Sequence, residues 1–178
     1  VFVYNESTGN FDLFYHLAGK NITLSCLHLD KNKNLWMGTT SNGIYCLSED
    51  KSLSRPVTKG NITSIYEDSS NELWIGSWEE GLYRVKTDGN IENLRHNPMN
   101  TNSLCSNFVR SCCEDNSGDL WIGTFNGLNR YDRETGKFHL YTANGNSPDG
   151  LTHSSIWCIV KDGQGTIWLG TYFGGVNY

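Results

Sequence analysis

The chain has 178 residues and a formal net charge of −5, with a pI near 5.5. An acidic chain without a basic patch argues against nucleic acid as a partner, and no run of about 18 apolar residues indicates a membrane span. No signal sequence is recognisable either, so we expect that this segment neither targets nor anchors itself. The 6 tryptophans, 9 tyrosines and 7 phenylalanines, without any stretch of helical periodicity, favour an all-β fold.

One short pattern organises the chain because it occurs four times. It reads Asn-Leu-Trp-Met-Gly-Thr at residues 34–39 and recurs with small changes at residues 72–77, 119–124 and 166–171. Its tryptophans are separated by 38, 47 and 47 residues, and an aspartate stands six residues before each of them. Regular spacing of this kind predicts a repeat architecture. The repeated residues are Trp36, Trp74, Trp121 and Trp168 with Asp30, Asp68, Asp115 and Asp162.

The second repeat shows how one unit is built. Apolar or β-branched runs at residues 61–67, 73–76, 81–85 and 91–94 are separated by clusters of turn residues. This spacing predicts four short strands in an antiparallel meander, which we name strands A to D. In strand B, Leu73 and Ile75 point one way and Trp74 the other, so both faces are apolar and need a neighbouring sheet. A radial stack of such sheets, a β-propeller with four-stranded blades, meets that need.

In chain order, the repeats predict a single propeller segment. Residues 1–17 supply strands C and D of a first blade, residues 22–57, 61–96 and 107–143 form three full blades, and residues 154–178 supply strands A and B and the start of C of a last blade. The terminal halves could pair to close a ring of about four blades, or the chain could be a partial arc of a larger ring. We favour the arc, whose exposed faces further blades or a homodimer would have to cover.

The longest form of the pattern carries a family resemblance. Residues 115–131 read Asp-x-x-Gly-x-Leu-Trp-Ile-Gly-Thr-x-x-Gly-Leu-x-x-Tyr, and variants fill the other repeats. A second pattern in strands C and D, Tyr-Asn/Asp-x-x-Thr-Gly-x-Phe, occurs at residues 4–11 and 131–138. Both patterns resemble the two-component regulator propeller repeat, over essentially the whole chain.

This resemblance implies a location and partners for the segment. Propellers of this family are typically seven-bladed and form the periplasmic sensor region of bacterial membrane-spanning histidine kinases, which are often hybrid and sense glycan fragments. The resemblance therefore implies a periplasmic segment whose partners are a glycan or small-molecule ligand and the further blades and kinase domains of a longer parent chain.

The 6 cysteines are expected to be free thiols rather than disulfides or metal ligands. Cys26 and Cys158 occupy the same position in strand A, where the other repeats have serine, so this position is a packing slot for a small residue. Neighbouring residues of a strand point to opposite faces, which keeps Cys112 and Cys113 apart; the alternative is a vicinal disulfide between them. No cysteine spacing fits a zinc site.

The four repeated aspartates are predicted to cap the turn between strands A and B by accepting hydrogen bonds from backbone N–H groups. The alternative, a calcium loop that begins at Asp30, lacks its acidic twelfth residue because Ser41 stands there. None of the 5 histidines has the spacing of a catalytic triad or a metal site, and Glu79 and Glu80 are neighbours in a turn rather than a facing pair. We therefore expect no catalytic residue, no metal and no cofactor in this segment.

The rim of the propeller is the predicted ligand site. The D–A and B–C loops of a propeller emerge on the same rim and strand A lines the axis, so ligand residues should come from these parts. Four residues after the motif tryptophans, the B–C turns carry Thr40, Trp78, Phe125 and Tyr172. Large exposed aromatics suit stacking on sugar rings or packing against a partner, and the alternative is that they cover the blade edge. The candidate ligand residues are Trp78, Glu79, Asn107, Arg110, Phe125, His153, Trp157 and Tyr172, and the D–A loops add Asn100, Asn102 and Asp149.

Three functions are compatible with these patterns. The first, which the resemblance favours, is a non-enzymatic sensor module that binds a glycan or another small ligand on the rim and controls a kinase, and thereby transcription. The second is a propeller that docks a protein through the same aromatic residues. The third is a polysaccharide-cleaving enzyme.

Overall fold

The computed structural model describes residues 1–16, 22–143 and 150–178, and within these ranges the chain forms 17 strands and no helix. No helix in the described ranges is therefore long and apolar enough to cross a membrane. The first two strands form a hairpin, three four-stranded sheets follow, and the last sheet has three strands.

The hairpin consists of β1 (Phe2–Asn5) and β2 (Asn10–Leu13). Blade 1 consists of β3 (Leu24–Leu29), β4 (Leu35–Thr39), β5 (Ile44–Leu47) and β6 (Leu53–Val57). Blade 2 consists of β7 (Ile62–Glu67), β8 (Leu73–Ser77), β9 (Leu82–Val85) and β10 (Ile91–Leu94). Blade 3 consists of β11 (Val109–Glu114), β12 (Leu120–Thr124), β13 (Gly127–Asp132) and β14 (Lys137–Tyr141). The last sheet consists of β15 (Ile156–Lys161), β16 (Ile167–Thr171) and β17 (Val176–Asn177).

The sheets have the predicted propeller architecture. Each blade is an antiparallel meander in which consecutive strands are hydrogen-bonded neighbours. The first strands of successive sheets, β3, β7, β11 and β15, contact each other in that order, so they form the inner layer around the axis. The hairpin and the last sheet remain separate sheets, which makes the structure an open arc rather than a closed four-bladed ring. The prediction of an all-β partial propeller is thus confirmed.

The hydrophobic core is divided into three layers, one at each joint between adjacent sheets. Leu73 and Ile75 of strand β8 pack into the layer shared with blade 1, whereas Trp74 packs into the layer shared with blade 3. A third layer joins blade 3 to the last sheet. Strand B therefore has two apolar faces, as its alternation predicts, and the motif tryptophan of one sheet packs against the next.

Exposure of the repeated residues depends on their position in the arc. Trp74 is fully buried, whereas Trp168 in the last sheet is 39% exposed because no later sheet in the described residues covers its face. At the other end, Leu27 and Leu29 of strand β3 are 52% and 64% exposed, although Ile65, the counterpart of Leu27 in blade 2, packs against a core layer. Both ends of the arc thus present apolar faces of the kind that blades elsewhere in the arc bury.

The repeated aspartates cap the turns between strands A and B. Asp68 Oδ1 accepts hydrogen bonds from the backbone N–H groups of Ser70 and Glu72, at 2.8 and 2.9 Å. Its second oxygen accepts a bond from the indole Nε1–H of Trp74 at 2.6 Å, a contact that the sequence does not predict. The other three repeats repeat this indole bond at 2.8 Å, which ties each turn to its motif tryptophan. Among the described residues no cluster of three or more His, Cys, Asp or Glu side chains could hold a metal ion.

The packing slot for a small residue in strand A lies against the motif glycine of strand B. Cys26 pairs with Gly38, and a Cβ atom on that glycine would lie 2.5 Å from Cys26 Sγ. Cys158 likewise pairs with Gly170, and its Sγ atom occupies the space that a Cβ atom on that glycine would need. All 6 cysteines are free, and the neighbours Cys112 and Cys113 belong to different core layers, so their side chains point to opposite faces as predicted.

Candidate functional site

The B–C turns and the loops before strand A meet on one rim of the arc. In each of the four sheets that carry the motif, the residue four positions after the tryptophan donates its backbone N–H to a carbonyl just before strand A, at 2.9 to 3.0 Å. The donors are Thr40, Trp78, Phe125 and Tyr172, and the acceptors are Thr23, Asn61, Phe108 and Ser155. The predicted aromatic positions therefore lie on a common rim, beside the start of the inner strands.

Each inner strand contains an irregularity at its second residue. The pairing between strands A and B skips one residue in all four sheets, for example between Ile62 and Ser64 in blade 2. Such a β-bulge releases one residue from the ladder and re-aims its side chain, and bulges are common beside functional sites. The bulged residues are Ser25, Thr63, Arg110 and Trp157.

The bulged residues and the B–C turns together build a cluster of aromatic rings around one cation. The Arg110 guanidinium lies 3.9 Å from the ring centroid of Trp157 and 5.1 Å from that of Trp78. Trp157 stacks on Tyr172 at 5.2 Å and an interplanar angle of 16°, and Tyr172 contacts Phe173 edge-on. Trp78 contacts Phe108, which in turn reaches Phe125. We call this set the rim cluster: Trp78, Phe108, Arg110, Phe125, Trp157, Tyr172 and Phe173.

Two open clefts flank Trp78. The cleft on the axial side has a volume of about 330 Å³ and is lined by Trp78, Arg110 and polar side chains of blades 1 and 2. The outer cleft has a volume of about 280 Å³ and includes Glu79 and Glu80. Asn61 lines both clefts, so a ligand that stacks on Trp78 has hydroxyl and amide groups within its surroundings. The axial cleft lies at the lower end of the range of about 300–1,000 Å³ that small-ligand sites occupy, and the outer cleft lies just below it.

The two clefts differ in charge. Arg110 stands at the axial cleft, and burial lowers its pKa. The outer cleft contains the exposed carboxylate of Glu79, which has no ion pair among the described residues. Its second carboxylate, Glu80, forms an ion pair with Arg95 and lies 3.9 Å from Lys59. Within the described ranges, the site therefore has an arginine without an ion pair toward the axis and an exposed carboxylate toward the periphery.

The structure brings together some of the sequence-predicted site residues and gives others loop contacts. Trp78, Arg110, Trp157, Tyr172 and Phe125 meet in the rim cluster, and Glu79 lines the outer cleft.

The remaining candidates hold the D–A loops. The Asn107 side chain accepts the His96 N–H at 2.8 Å, and His153 Nδ1 accepts the Ser155 N–H at 3.0 Å. Asn100 and Asn102 also accept backbone N–H bonds. Asp149 lies outside the described residues.

Sequence reasoning missed the bulge and two of the rings. Phe108 and Phe173 belong to the rim cluster, and Ser25 and Thr63 line the axial cleft. One signal was available: the bulged position carries unrelated residues in the four repeats, although its neighbours on both sides are alike. A position that varies within a uniform context indicates a side chain that the core of the blade does not require.

Comparisons with known proteins agree with the repeat structure. The family model described as "Two component regulator propeller" matches residues 16–41, 56–79, 103–126 and 150–173, which is more than half of the chain. No curated relative matches the chain.

Solved structures share the fold. The extracellular domain of BT4673 from B. thetaiotaomicron, described as part of a hybrid two-component system, has a TM-score of 0.79 at 23% identity, over 98% of this chain and 24% of that one. PorZ, a surface component of the type-IX secretion system of Porphyromonas gingivalis, has a TM-score of 0.69 at 14% identity, over 94% and 28% of the two chains. Virginiamycin B lyase from Staphylococcus aureus has a TM-score of 0.67 at 16% identity, over 92% and 57%.

The solved structures and the family model support different conclusions. At such low identities the solved structures show the fold alone, and the chain spans about a quarter of the length of the B. thetaiotaomicron domain. The family model, in contrast, recognises four repeats in phase with the four motif tryptophans. On that basis the chain belongs to the two-component regulator propeller family.

Proposed function

We propose that this chain is a ligand-binding propeller module in the extracytoplasmic, periplasmic sensor region of a hybrid histidine kinase, and that its rim cluster binds a glycan or oligosaccharide. The observation that carries the proposal is the combination of exposed rings with a polar cleft on one rim. Phe125 and Tyr172 are each 49% exposed and Phe173 is 82% exposed, which is unusual for rings that serve only packing. Aromatic faces beside hydroxyl and amide groups suit the apolar faces and the hydroxyl edges of a sugar ring.

The position of the cluster also suits a sensor. Arg110 of blade 3 contacts Trp78 of blade 2 and Trp157 of the last sheet, so one ligand at this place touches three sheets. Binding energy gained there can change how the sheets are held relative to each other, and further domains of a parent chain would read that change. In this proposal the segment itself performs no chemistry, and the kinase domains of the parent chain convert binding into a transcriptional response.

Calorimetry with a panel of glycan fragments tests the proposal. We expect binding to the wild-type protein and at least about fivefold weaker binding to Trp78→Ala, because stacking on one ring contributes roughly 1–3 kcal/mol. The matched control is Phe11→Ala, which removes an exposed ring from the hairpin, away from the rim. Absence of binding to every fragment, or equal binding by the Trp78→Ala variant, would contradict the proposal.

Two alternatives are distinguished by the same samples. Phe173 is exposed enough to anchor a protein partner, and in that case Trp78→Ala would weaken capture of the partner but no saccharide would bind. A polysaccharide-cleaving enzyme would release new reducing ends or unsaturated products during incubation. One protein with a similar fold, virginiamycin B lyase, is an enzyme. We expect no product, and product formation would assign the segment to the enzymes.

We also propose that the apolar end faces pack against further blades of the parent chain. Val160, Val176 and Tyr178 at the last sheet are 58%, 65% and 87% exposed, and Leu27 and Leu29 are exposed at the other end. In isolation a second copy would cover these faces as a homodimer. Light scattering at micromolar concentration should show self-association that Leu27→Lys weakens, whereas a compact monomer would contradict the proposal.

A further inference from the structure

Arg110 differs from every other arginine in the described residues by its lack of a partner. No carboxylate lies within 4.0 Å of its guanidinium in residues 1–16, 22–143 and 150–178, and its Nε atom is buried without a hydrogen bond. Burial alone accounts for the lowered pKa of Arg110. An arginine in this position has exchanged water for aromatic rings and keeps a planar set of donors that nothing in the described residues uses.

Two other arginines provide an internal comparison. Arg84 and Arg133 both lie over Trp74, at 5.1 and 5.8 Å from its ring centroid, so they share the cation–π contact of Arg110. Each also forms an ion pair: Arg84 with Glu72 at 2.7 Å and Arg133 with Asp68 at 2.6 Å. At Trp74 the fold therefore supplies a carboxylate to each arginine, within blade 2 for Arg84 and between blades 2 and 3 for Arg133. At Arg110, on the rim, the same arrangement lacks its anion.

We propose that Arg110 binds the anionic substituent, a carboxylate or a sulfate group, of a saccharide that stacks on Trp78. The proposal rests on the proposed glycan-binding function and specifies the class of glycan. Guanidinium groups bind carboxylate and sulfate oxygens through two parallel N–H donors, and the bond strengthens when the surroundings are apolar. The flanking Trp78 and Trp157 provide such surroundings and fix the plane of the guanidinium.

The bulge explains how the fold presents this residue. Arg110 is the bulged residue of strand β11, so its backbone is released from the regular ladder with strand β12. Its side chain reaches the axial cleft of about 330 Å³ together with Ser25, Asn61 and Thr63. Hydroxyl and amide groups beside a cation suit a sugar acid or a sugar sulfate, which carries its own hydroxyl groups, better than an anion with a hydrophobic tail.

The charge difference between the clefts orients the ligand. An anionic substituent is attracted to Arg110 and repelled by Glu79 in the outer cleft. The acidic ring therefore lies toward the axis, and a neutral part of the saccharide extends over Trp78 toward the periphery.

The test compares ligands that differ only in charge. Calorimetry uses oligogalacturonides against their fully methyl-esterified forms, and a sulfated galactan disaccharide, which has no uronic acid, against its neutral desulfated form. We expect the wild-type protein to bind at least one acidic member at least tenfold more tightly than its neutral counterpart, with an affinity that falls as salt is raised. The two acidic series separate a carboxylate from a sulfate as the preferred group.

Variants assign the selectivity to Arg110. Arg110→Gln should reduce the affinity for the acidic ligand at least tenfold more than the affinity for its neutral counterpart, and Arg110→Lys should restore part of the loss because it keeps the charge. Arg55→Gln is the matched control, because this exposed arginine donates to the backbone carbonyl of Asn42. Thermal melting of each variant checks that folding is retained.

The outcomes separate the two proposals. Equal binding of charged and neutral ligands by the wild-type protein would overturn the role of Arg110 and leave the glycan-binding proposal intact. Binding of no saccharide at all would overturn both. Charge selectivity that survives in Arg110→Gln would place the anion elsewhere and also overturn the inference.

Discussion

Replacement of the same motif residue in two sheets should have unequal effects on stability. Trp74 and Trp168 occupy equivalent positions in strand B, and each donates its indole N–H to its aspartate, at 2.6 and 2.8 Å. Trp74 is fully buried between blades 2 and 3, whereas Trp168 remains 39% exposed. The local sequence and the hydrogen bond are alike, so the difference isolates the contribution of packing against the next blade.

The magnitude follows from the buried area. A tryptophan buries roughly 200 Å² when it is fully enclosed, which corresponds to about 5 kcal/mol at about 25 cal/mol per Å². With 39% of its surface exposed, Trp168 gains about 3 kcal/mol by the same arithmetic. Truncation of Trp74 also leaves a cavity, which adds to its cost, whereas solvent fills the space beside Trp168. Trp74→Ala should therefore destabilise the protein by at least about 2 kcal/mol more than Trp168→Ala.

Urea unfolding followed by far-UV circular dichroism measures this difference, because the midpoint and slope of the transition report the loss of backbone structure in all sheets. The measurement belongs at submicromolar concentration, where a second copy does not cover the face of Trp168. A free energy of unfolding that falls equally in both variants, or further in Trp168→Ala, would refute the account of sheets that bury each other's tryptophans.

Three further predictions concern packing, pH and thiols. Gly76→Ala should lower the free energy of unfolding by about 1–3 kcal/mol in urea titrations, because the new Cβ would lie 2.5 Å from Ser64 Oγ. Burial opposes ionisation of Asp68, but its hydrogen bonds, first that from Trp74, hold its pKa below the ordinary value of 3.8. The stability that Asp68 contributes is therefore complete above about pH 5 and declines as pH falls through and below 3.8. Asp68→Asn should flatten this decline in urea titrations between pH 6 and pH 3. All 6 cysteines should react with a thiol reagent in denaturant without reductant, whereas Cys112 should stay unreactive in the folded protein because burial raises its pKa; fewer than 6 reactive thiols would indicate a disulfide.

The blades could be predicted because their pattern is dense and local. Leu73, Trp74 and Ile75 alternate with period two, and the structure directs them to opposite core layers as that period requires. The slot for a small residue was also visible, since only cysteine and serine occupy it in the four repeats. Both features depend on neighbours within one strand or one hairpin.

Other features depend on the path of the backbone in space and leave little trace in composition. The bond from Trp74 to Asp68 joins residues six positions apart, and it forms because the hairpin brings strand B back beside its turn. Phe108 joins the rim cluster because the backbone N–H of Phe125 bonds to its carbonyl, which sets the D–A loop beside the B–C turn. Neither contact follows from residue type alone, so the members of the site could be predicted better than its geometry.

The repeated bulge places one side chain of each inner strand outside the regular strand pairing, where it can contact a ligand. Ser25, Thr63, Arg110 and Trp157 stand outside the regular ladder, so an exchange there leaves the strand pairing of the neighbours in place. Thr63 also donates its hydroxyl to the carbonyl of Val109 at 2.6 Å, so its exchange would remove one hydrogen bond between blades 2 and 3. The four residues span the smallest hydroxyl to the largest ring, which indicates that the scaffold tolerates great diversity there. The inner strands thus present a row of variable positions along the axial side of the arc. A propeller of this construction can change its ligand preference through one substitution per blade, while the hydrophobic layers between the sheets continue to supply most of its stability.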